Sequence, residues 1–282
     1  MESRRHPDWL KVPLGGGQTY AKVRKQLRHA HVHTICEEAK CPNIGECFNR
    51  GTATFLIMGD VCTRNCKYCH VSYGKPLPID SKEPIHVAES VKKLNLNYTV
   101  ITSVTRDDLS DGGANHFYDT ITQIKKLNPQ CKVEVLIPDF KGDTEALGTV
   151  LSAKPAVLNH NIEVVFSLFS TIRPQGDYNQ SLFVLKQSKQ MQKKIPTKSG
   201  FMIGLGESMD EIYALLDDLR SVHVDFLTIG QYLQPTTDHL PVQKYYTPDE
   251  FDMLKQKALD KGFTHVESGP LVRSSYRAES FL

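Results

Sequence analysis

Between residues 54 and 229, short apolar runs alternate with longer stretches whose hydrophobic residues recur every three or four positions. Six runs have the length and the β-branched or aromatic content of strands: 54–58 (TFLIM), 98–103 (YTVITS), 132–137 (KVEVLI), 156–160 (AVLNH), 199–204 (SGFMIG) and 225–229 (DFLTI). Unbroken apolar runs suit strands covered on both faces, as in a parallel sheet. Helices are predicted after each run. Val87, Val91 and Leu94 share one face past Pro84, and Phe117, Ile121, Ile124 and Leu127 share another. Further helices are expected near 144–152 and 180–191. Ser208 and Glu211 make a capping box ahead of Ile212, Leu215, Leu216 and Leu219. Thr247, Pro248 and Glu250 open the last helix in the same way, and Gly262 ends it. Such a series predicts a parallel sheet with right-handed crossovers, with too few units to close an eight-fold barrel.

The chain outside this pattern is different. Residues 1–20, with the run Gly15–Gly16–Gly17, read as an irregular arm. Residues 21–33 are basic and helical in pattern, with Val23 and Leu27 four apart. Then come six of the seven cysteines. Cys36, Cys41 and Cys47 (TICEEAKCPNIGECF) are expected in a loop broken by Pro42 and Gly45, and Cys62, Cys66 and Cys69 (CTRNCKYC) follow the first strand. The spacings differ, so the triplets are not duplicates. Three thiolates suit a cubane that keeps one iron free of cysteine. The first triplet lacks the C-x-x-C knuckle usual for structural zinc. Cys131 stands alone at the start of a strand. It reads as a small buried hydrophobe, and as a poor ligand if the sites lie at the opposite ends of the strands.

Composition narrows the class. With 40% hydrophobic residues, 282 residues can bury a sizeable core. A formal charge of +2 argues against nucleic acid as partner. No apolar run approaches the ~20 residues of a membrane-spanning helix, and the charged N-terminus lacks a secretory core. The expected location is cytoplasmic, or an organellar matrix or stroma in a eukaryote. Glu2 and Asp8 count against an organellar presequence without excluding one. Six clustered cysteines out of seven in such a chain favour metal over disulfides.

Working groups of a parallel α/β barrel lie where its strands end, and unusual polar residues collect there. Strand 54–58 runs into the Cys62 loop, and strand 98–103 into Thr105, Arg106, Asp107, Asp108 and Gly112–Gly113. Strand 156–160 ends at Asn159, His160, Asn161 and Glu163; strand 199–204 at Gly204, Gly206 and Glu207; strand 225–229 at Gln231, Tyr232 and Gln234. All five are expected to converge on one mouth. Each has a plainer reading. Asp107 and Asp108 suit loop or cap positions, and the 159–163 group suits a satisfied buried network. Gly204–Leu205–Gly206 is too short for a dinucleotide fingerprint, and His116, His160 and His239 suit hydrogen bonding rather than metal.

The C-x3-C-x2-C of the second triplet, with Tyr68 before its last cysteine, resembles the motif of radical S-adenosylmethionine enzymes. Together with C-x4-C-x5-C upstream and with RDDLSDGGANHF, VEVLIPDFKG, VLNHNIE, TKSGFMIGLGE, TIGQYLQP and RSSY, it is similar to the lipoyl synthase family from about Trp9 to Tyr276. The resemblance implies an α/β fold: a partial (β/α)6 barrel of the radical S-adenosylmethionine type over 51–262. An N-terminal cysteine-bearing extension (1–50) would precede it, and a C-terminal tail (263–282) would close on the auxiliary cluster. It implies two 4Fe–4S clusters and S-adenosylmethionine as cosubstrate. Cys62, Cys66 and Cys69 would hold the radical cluster. Cys36, Cys41 and Cys47 would hold the auxiliary one, completed by a serine of RSSY, Ser275 in preference to Ser274. Tyr68, Asn159, Asn161, Glu163 and Arg173 would contact the cosubstrate. Phe169 stands where the family has an Arg-Leu-Tyr run, which leaves one substrate contact open. The implied reaction inserts two sulfurs at carbons 6 and 8 of a protein-bound octanoyl chain, with the auxiliary cluster as donor. The implied partners are an octanoylated lipoyl carrier domain or glycine-cleavage H-type protein, an electron donor such as ferredoxin or flavodoxin, and a cluster-repair protein, with neither nucleic acid nor membrane. Two other readings stay open: a different radical S-adenosylmethionine enzyme, and an iron–sulfur electron carrier.

Overall fold

The computed structural model describes residues 7–12 and 15–282. Residues 1–6 and 13–14 of the expected arm, Glu2 among them, lie outside the described residues. Gly17, at φ 100°, leads into α1 (Gln18–His29), which buries Val23 and Leu27. The helix starts three residues earlier than its pattern suggested and stops before His33, which begins the short strand β1 (His33–Thr34).

The first triplet is not in a loop. Thr34 accepts a hydrogen bond from the Glu37 amide and caps α2 (Ile35–Glu38), and α3 (Ile44–Asn49) follows. The sequence pattern missed both because neither is long enough to show periodicity. Glu37 and Glu38 in the first turn of α2, and Glu46 in that of α3, suit the positive end of a helix. Gly45 sits inside α3, while Pro42 separates the two helices.

Next come β2 (Thr54–Ile57), two short strands β3 (Val61–Cys62) and β4 (Ser72–Tyr73), α4 (Glu83–Lys93) and β5 (Tyr98–Ser103). The alternation continues through α5 (Ala114–Leu127), β6 (Lys132–Leu136), α6 (Thr144–Ser152), β7 (Val157–Asn159), α7 (Phe166–Ile172) and α8 (Tyr178–Met191). It closes with β8 (Thr197–Ile203), α9 (Met209–Ser221), β9 (Phe226–Gln231), α10 (Pro248–Asp260) and β10 (His265–Gly269). Both expected capping boxes form, at Ser208–Glu211 and Thr247–Glu250.

The eight-stranded sheet runs β1-β2-β5-β6-β7-β8-β9-β10, parallel throughout except for β1. Its parallel part has seven strands, not six. The extra one is β10, HVESG, in which Val266 alone is buried, so it carries no apolar run to detect. Helix α7 was missed because its seven residues are too few to show a periodic pattern.

Helices cover the outer face. Phe117, Ile121 and Ile124 of α5 are fully buried, as are Leu216 and Leu219 of α9 and Phe251 and Leu254 of α10. Each such side chain stabilises the fold by about 2 kcal/mol relative to exposure. The inner face of the sheet instead carries buried polar residues, among them Glu134, Asn159 and Lys198, with Glu134 accepting from the other two. No described helix is long and apolar enough to cross a membrane.

Candidate functional site

Past β2 the chain turns through Met58 and Gly59, both at positive φ, and enters the loop of the second triplet. Parallel pairing of β3 with β4 sets Cys62 opposite Tyr73 and closes that loop. The Cys62 sulfur accepts hydrogen bonds from the amides of Arg64 (3.4 Å) and Thr105 (3.3 Å). Arg64 then pins the loop to two strand ends. Its guanidinium donates to Asp107 (2.7 and 3.0 Å) beyond β5 and to Asp139 (2.7 and 2.8 Å) beyond β6. Burial works against its charge, but the two carboxylates hold its pKa above the ordinary arginine value. Asp139 is held well below the usual carboxylate range by Arg64, against its own burial.

Burial raises the thiol pKa values of Cys66 and Cys69. Cys69 is pushed up to about 12, with Cys66 adding to the effect. Cys66 is raised too, by burial that the Arg173 charge opposes. The Cys69 carbonyl pairs with His239 Nε2 (3.0 Å), and that ring lies 6.1 Å from His70. His70 Nδ1 in turn meets the Glu38 carbonyl (2.9 Å) in α2, so the two cysteine-bearing segments are tied together.

Beyond β7, four of the five expected cosubstrate residues stand as one group. Asn161 donates to Glu163 (3.1 Å), Arg173 donates to the Asn161 carbonyl (3.2 Å), and the Tyr68 hydroxyl hydrogen-bonds Glu163. Burial pushes the Glu163 carboxyl up, opposed by Arg173. Asn159 faces elsewhere, donating to Glu134 on the inner face (3.4 Å). Phe169 lies under the Arg173 guanidinium, 5.0 Å from its ring centre. His160 meets the Ile137 carbonyl through Nδ1 (2.9 Å), and burial, with the Arg173 charge, lowers its pKa to about 4.

The first triplet lies at the other ends of the strands. Cys36, Cys41 and Cys47 line a cavity with Thr54, which begins β2, and with Tyr98, Thr99 and Val100 of β5. About 570 Å³ of empty space lies there, part of it open to solvent. Arg273, Ser275, Tyr276, Arg277 and Glu279 line its remaining wall. The tail therefore folds back to the first triplet. Asn43 donates to the Leu271 carbonyl (2.7 Å), and Arg50 pairs with Glu279. Thr54 hydrogen-bonds Cys36 through its amide and hydroxyl, and that hydroxyl also donates to Ser275 (2.8 Å). Burial, reinforced by Cys41, pushes Cys36 up to about 12, and Cys47 reaches about 11 for the same reasons.

This placement corrects one expectation. A position at the start of a strand does not set Cys131 apart, because the first triplet is also at strand starts. Its packing does: Cys131 is buried in the core under the helices, hydrogen-bonds the Lys132 carbonyl, and lies off the cavity wall.

Sequence reading missed Arg64, Asp139, Thr54 and the His70–His239 pair. Arg64 lay inside the motif itself, and a lone arginine between Cys62 and Cys66 was the available signal.

The donor sets fit anionic clusters and a polar ligand. All seven cysteines are free thiols. Arg273 brings a cation to the first cavity, where burial lowers its pKa against the opposing pull of Cys41. Around the second triplet, His160 Nε2, Asn161 Oδ1 and Arg173 Nε are buried without hydrogen-bond partners. Unpaired buried polar atoms are costly, and a ligand with hydroxyl, amino and carboxylate groups would satisfy them. Among the described residues, no three His, Cys, Asp or Glu side chains converge on a single ion. A cubane does not ask this of its thiolates, since each binds a different iron.

Known proteins resemble this chain over most of its length. The model of the Radical SAM superfamily matches residues 56–219, and that of the N-terminal domain of lipoyl synthase matches residues 1–41. A lipoyl synthase of Caldicellulosiruptor saccharolyticus is 55% identical over 99% of this chain and 98% of its own. One from Halalkalibacterium halodurans is 54% identical over 98% of this chain and 91% of its own. Among solved structures, methylornithine synthase superposes with a TM-score of 0.56 at 12% identity, covering 88% of this chain and 76% of its own. The hydrogenase maturase HydG of Carboxydothermus hydrogenoformans gives 0.58 at 12%, covering 77% and 59%. These two likenesses speak for the fold alone.

Proposed function

Because the chain belongs to the lipoyl synthase family of radical S-adenosylmethionine enzymes, we propose that its two cysteine triplets divide one reaction between them: sulfur insertion at carbons 6 and 8 of an octanoyl chain carried on a lipoyl domain. Cys62, Cys66 and Cys69 hold the cubane that engages S-adenosylmethionine. Cys36, Cys41, Cys47 and Ser275 hold the cubane that gives up sulfur. When bound, these groups supply a carbon-centred radical and the sulfur, chemistry that protein side chains lack.

The remaining work belongs to the chain. Tyr68, Asn161, Glu163 and Arg173 grip the polar ends of the cosubstrate, and Asn159 is at the margin of that set. Arg64 fixes the cysteine loop against Asp107 and Asp139 and so sets where the radical is formed. Arg273 offsets negative charge at the first triplet. A serine oxygen is a harder and more labile ligand than a thiolate, which suits an iron that must be uncovered when sulfur leaves. The substrate is a lipoyl carrier domain or glycine-cleavage H-type protein. A ferredoxin or flavodoxin supplies electrons, and a repair protein rebuilds the first cluster.

The observation that carries this reading is Ser275, which lines one cavity with all three cysteines of the first triplet. The test is to supply reconstituted protein with S-adenosylmethionine, reductant and an octanoylated carrier domain, and to weigh the product. A gain of two sulfurs with 5′-deoxyadenosine formation is expected. Cosubstrate cleavage without sulfur gain would favour a different radical enzyme, and no cleavage would favour an electron carrier.

A further inference from the structure

The dipeptide Ser274–Ser275 faces two sites at once. Ser275 Oγ accepts from Thr54 Oγ1 at 2.8 Å, on the wall of the first-triplet cavity. Ser274 Oγ accepts from Asn161 Nδ2 at 2.5 Å, in the group beside Cys66. Asn161 Nδ2 also donates to Glu163, and its Oδ1 is buried without a partner. Adjacent Cα atoms are held about 3.8 Å apart, so a backbone shift at one serine bears directly on the other.

The segment is also fixed from one side. A Cβ on Gly230 of β9 would meet the Val272 carbonyl oxygen at 2.2 Å, so the tail lies hard against the sheet just before the two serines. A turn closes over them, with the Tyr276 amide donating to the Arg273 carbonyl at 2.9 Å. A pull on Ser275 is therefore passed to Ser274 rather than absorbed upstream.

We propose that Ser274 is a positioning residue that couples occupancy of the first site to cosubstrate binding at the second. With Ser275 engaged at a filled first site, Ser274 holds the Asn161 amide so that its free carbonyl and Glu163 meet the cosubstrate. When Ser275 lets go, Asn161 loses that support and the cosubstrate is held more weakly. Linkage makes the effect mutual: bound cosubstrate favours the engaged tail. The chain thereby senses a spent first site before another cosubstrate is consumed.

This inference rests on the assignment of the two sites proposed above. Its test is anaerobic calorimetric titration of S-adenosylmethionine into protein with both sites reconstituted, and into protein whose first site is emptied by changing Cys36, Cys41 and Cys47 to Ala, with iron content showing that the second site stays filled. Filled protein is expected to bind about ten-fold more tightly, within the usual range of coupling between sites. Ser274→Ala should weaken binding to the filled form and leave the emptied form unchanged, and Ser274→Thr, which keeps the hydroxyl, should restore the difference. Equal affinity of filled and emptied wild-type protein overturns the coupling, as does a difference that survives in Ser274→Ala. If the filled protein binds no S-adenosylmethionine at all, the site assignment itself fails and the coupling with it.

Discussion

Lys198 Nζ stands 3.0 Å from Glu134 Oε1 with both side chains shut off from solvent. The pair joins β8 to β6 across β7 on the inner face of the sheet. Tyr98 donates to the other oxygen of Glu134 (2.6 Å), and Phe281 covers the ammonium, its ring centre 4.0 Å away. Breaking a buried pair from one side strands the other charge and costs roughly 3–5 kcal/mol. Lys198→Met is expected to lower the thermal midpoint by on the order of 10 °C, and Lys198→Met with Glu134→Leu to recover most of the loss. Thermal scans of the three proteins check this; a single variant as stable as wild type refutes it.

Arg64 serves two carboxylates with one guanidinium, and Asp139 is wholly buried. Arg64→Met leaves that carboxylate unpaired and frees the Cys62–Cys69 loop, so stability should fall by about 3 kcal/mol or more. Iron bound by the second triplet should fall with it. Arg64→Lys should rescue only partly, because an ammonium cannot present a fork to both acids. Iron content and denaturant unfolding, measured together, decide the matter.

His160 gives a pH signature. Its pKa falls from 6.5 to about 4 because burial, and then Arg173, disfavour the charged ring. The folded state thus binds a proton less readily than the unfolded one. The associated stability is complete above about pH 6.5 and drains away as pH falls toward 4, a loss of roughly 2 kcal/mol between pH 7 and pH 5. Denaturant unfolding at the two pH values should show it, and His160→Gln should flatten that interval. An unchanged slope in the variant would assign the effect elsewhere.

Ser275→Ala should retain 5′-deoxyadenosine formation at saturating cosubstrate while lowering the yield of doubly sulfurated product. Ser275→Cys should keep its iron, because a thiolate binds more tightly, and release sulfur more slowly. Product mass spectrometry over time separates the two. Wild-type yield from both variants would remove Ser275 from the reaction, and a defect confined to Ser274→Ala would move the ligand role to its neighbour.

What the sequence disclosed follows from what periodicity encodes. Residues 98–103 are strand as expected because both faces of that strand are buried. β10 was invisible because four of its five residues are only partly buried and its register comes from β9. The cysteines announced themselves by type and spacing. Their placement at two opposite ends of the strands did not, because it depends on the tail returning across the inner face, and no local pattern records such a contact. Thr54 shows the same limit: as the first residue of an apolar run it looked structural, yet its hydroxyl meets both Cys36 and Ser275.

The contact between Thr54 and Ser275 spans 221 positions of the chain. A ribosome therefore delivers Cys36, Cys41 and Cys47 long before it delivers the serine that lines their cavity. Until then the three thiols belong to a half-built pocket whose outer wall, Arg273 to Glu279, does not yet exist. Closing so long a loop is slow and comes after local structure has formed. The wall of that cavity is therefore completed only once residues 273–279 have been made, and a chain ending before Arg273 would leave the three cysteines facing an open side.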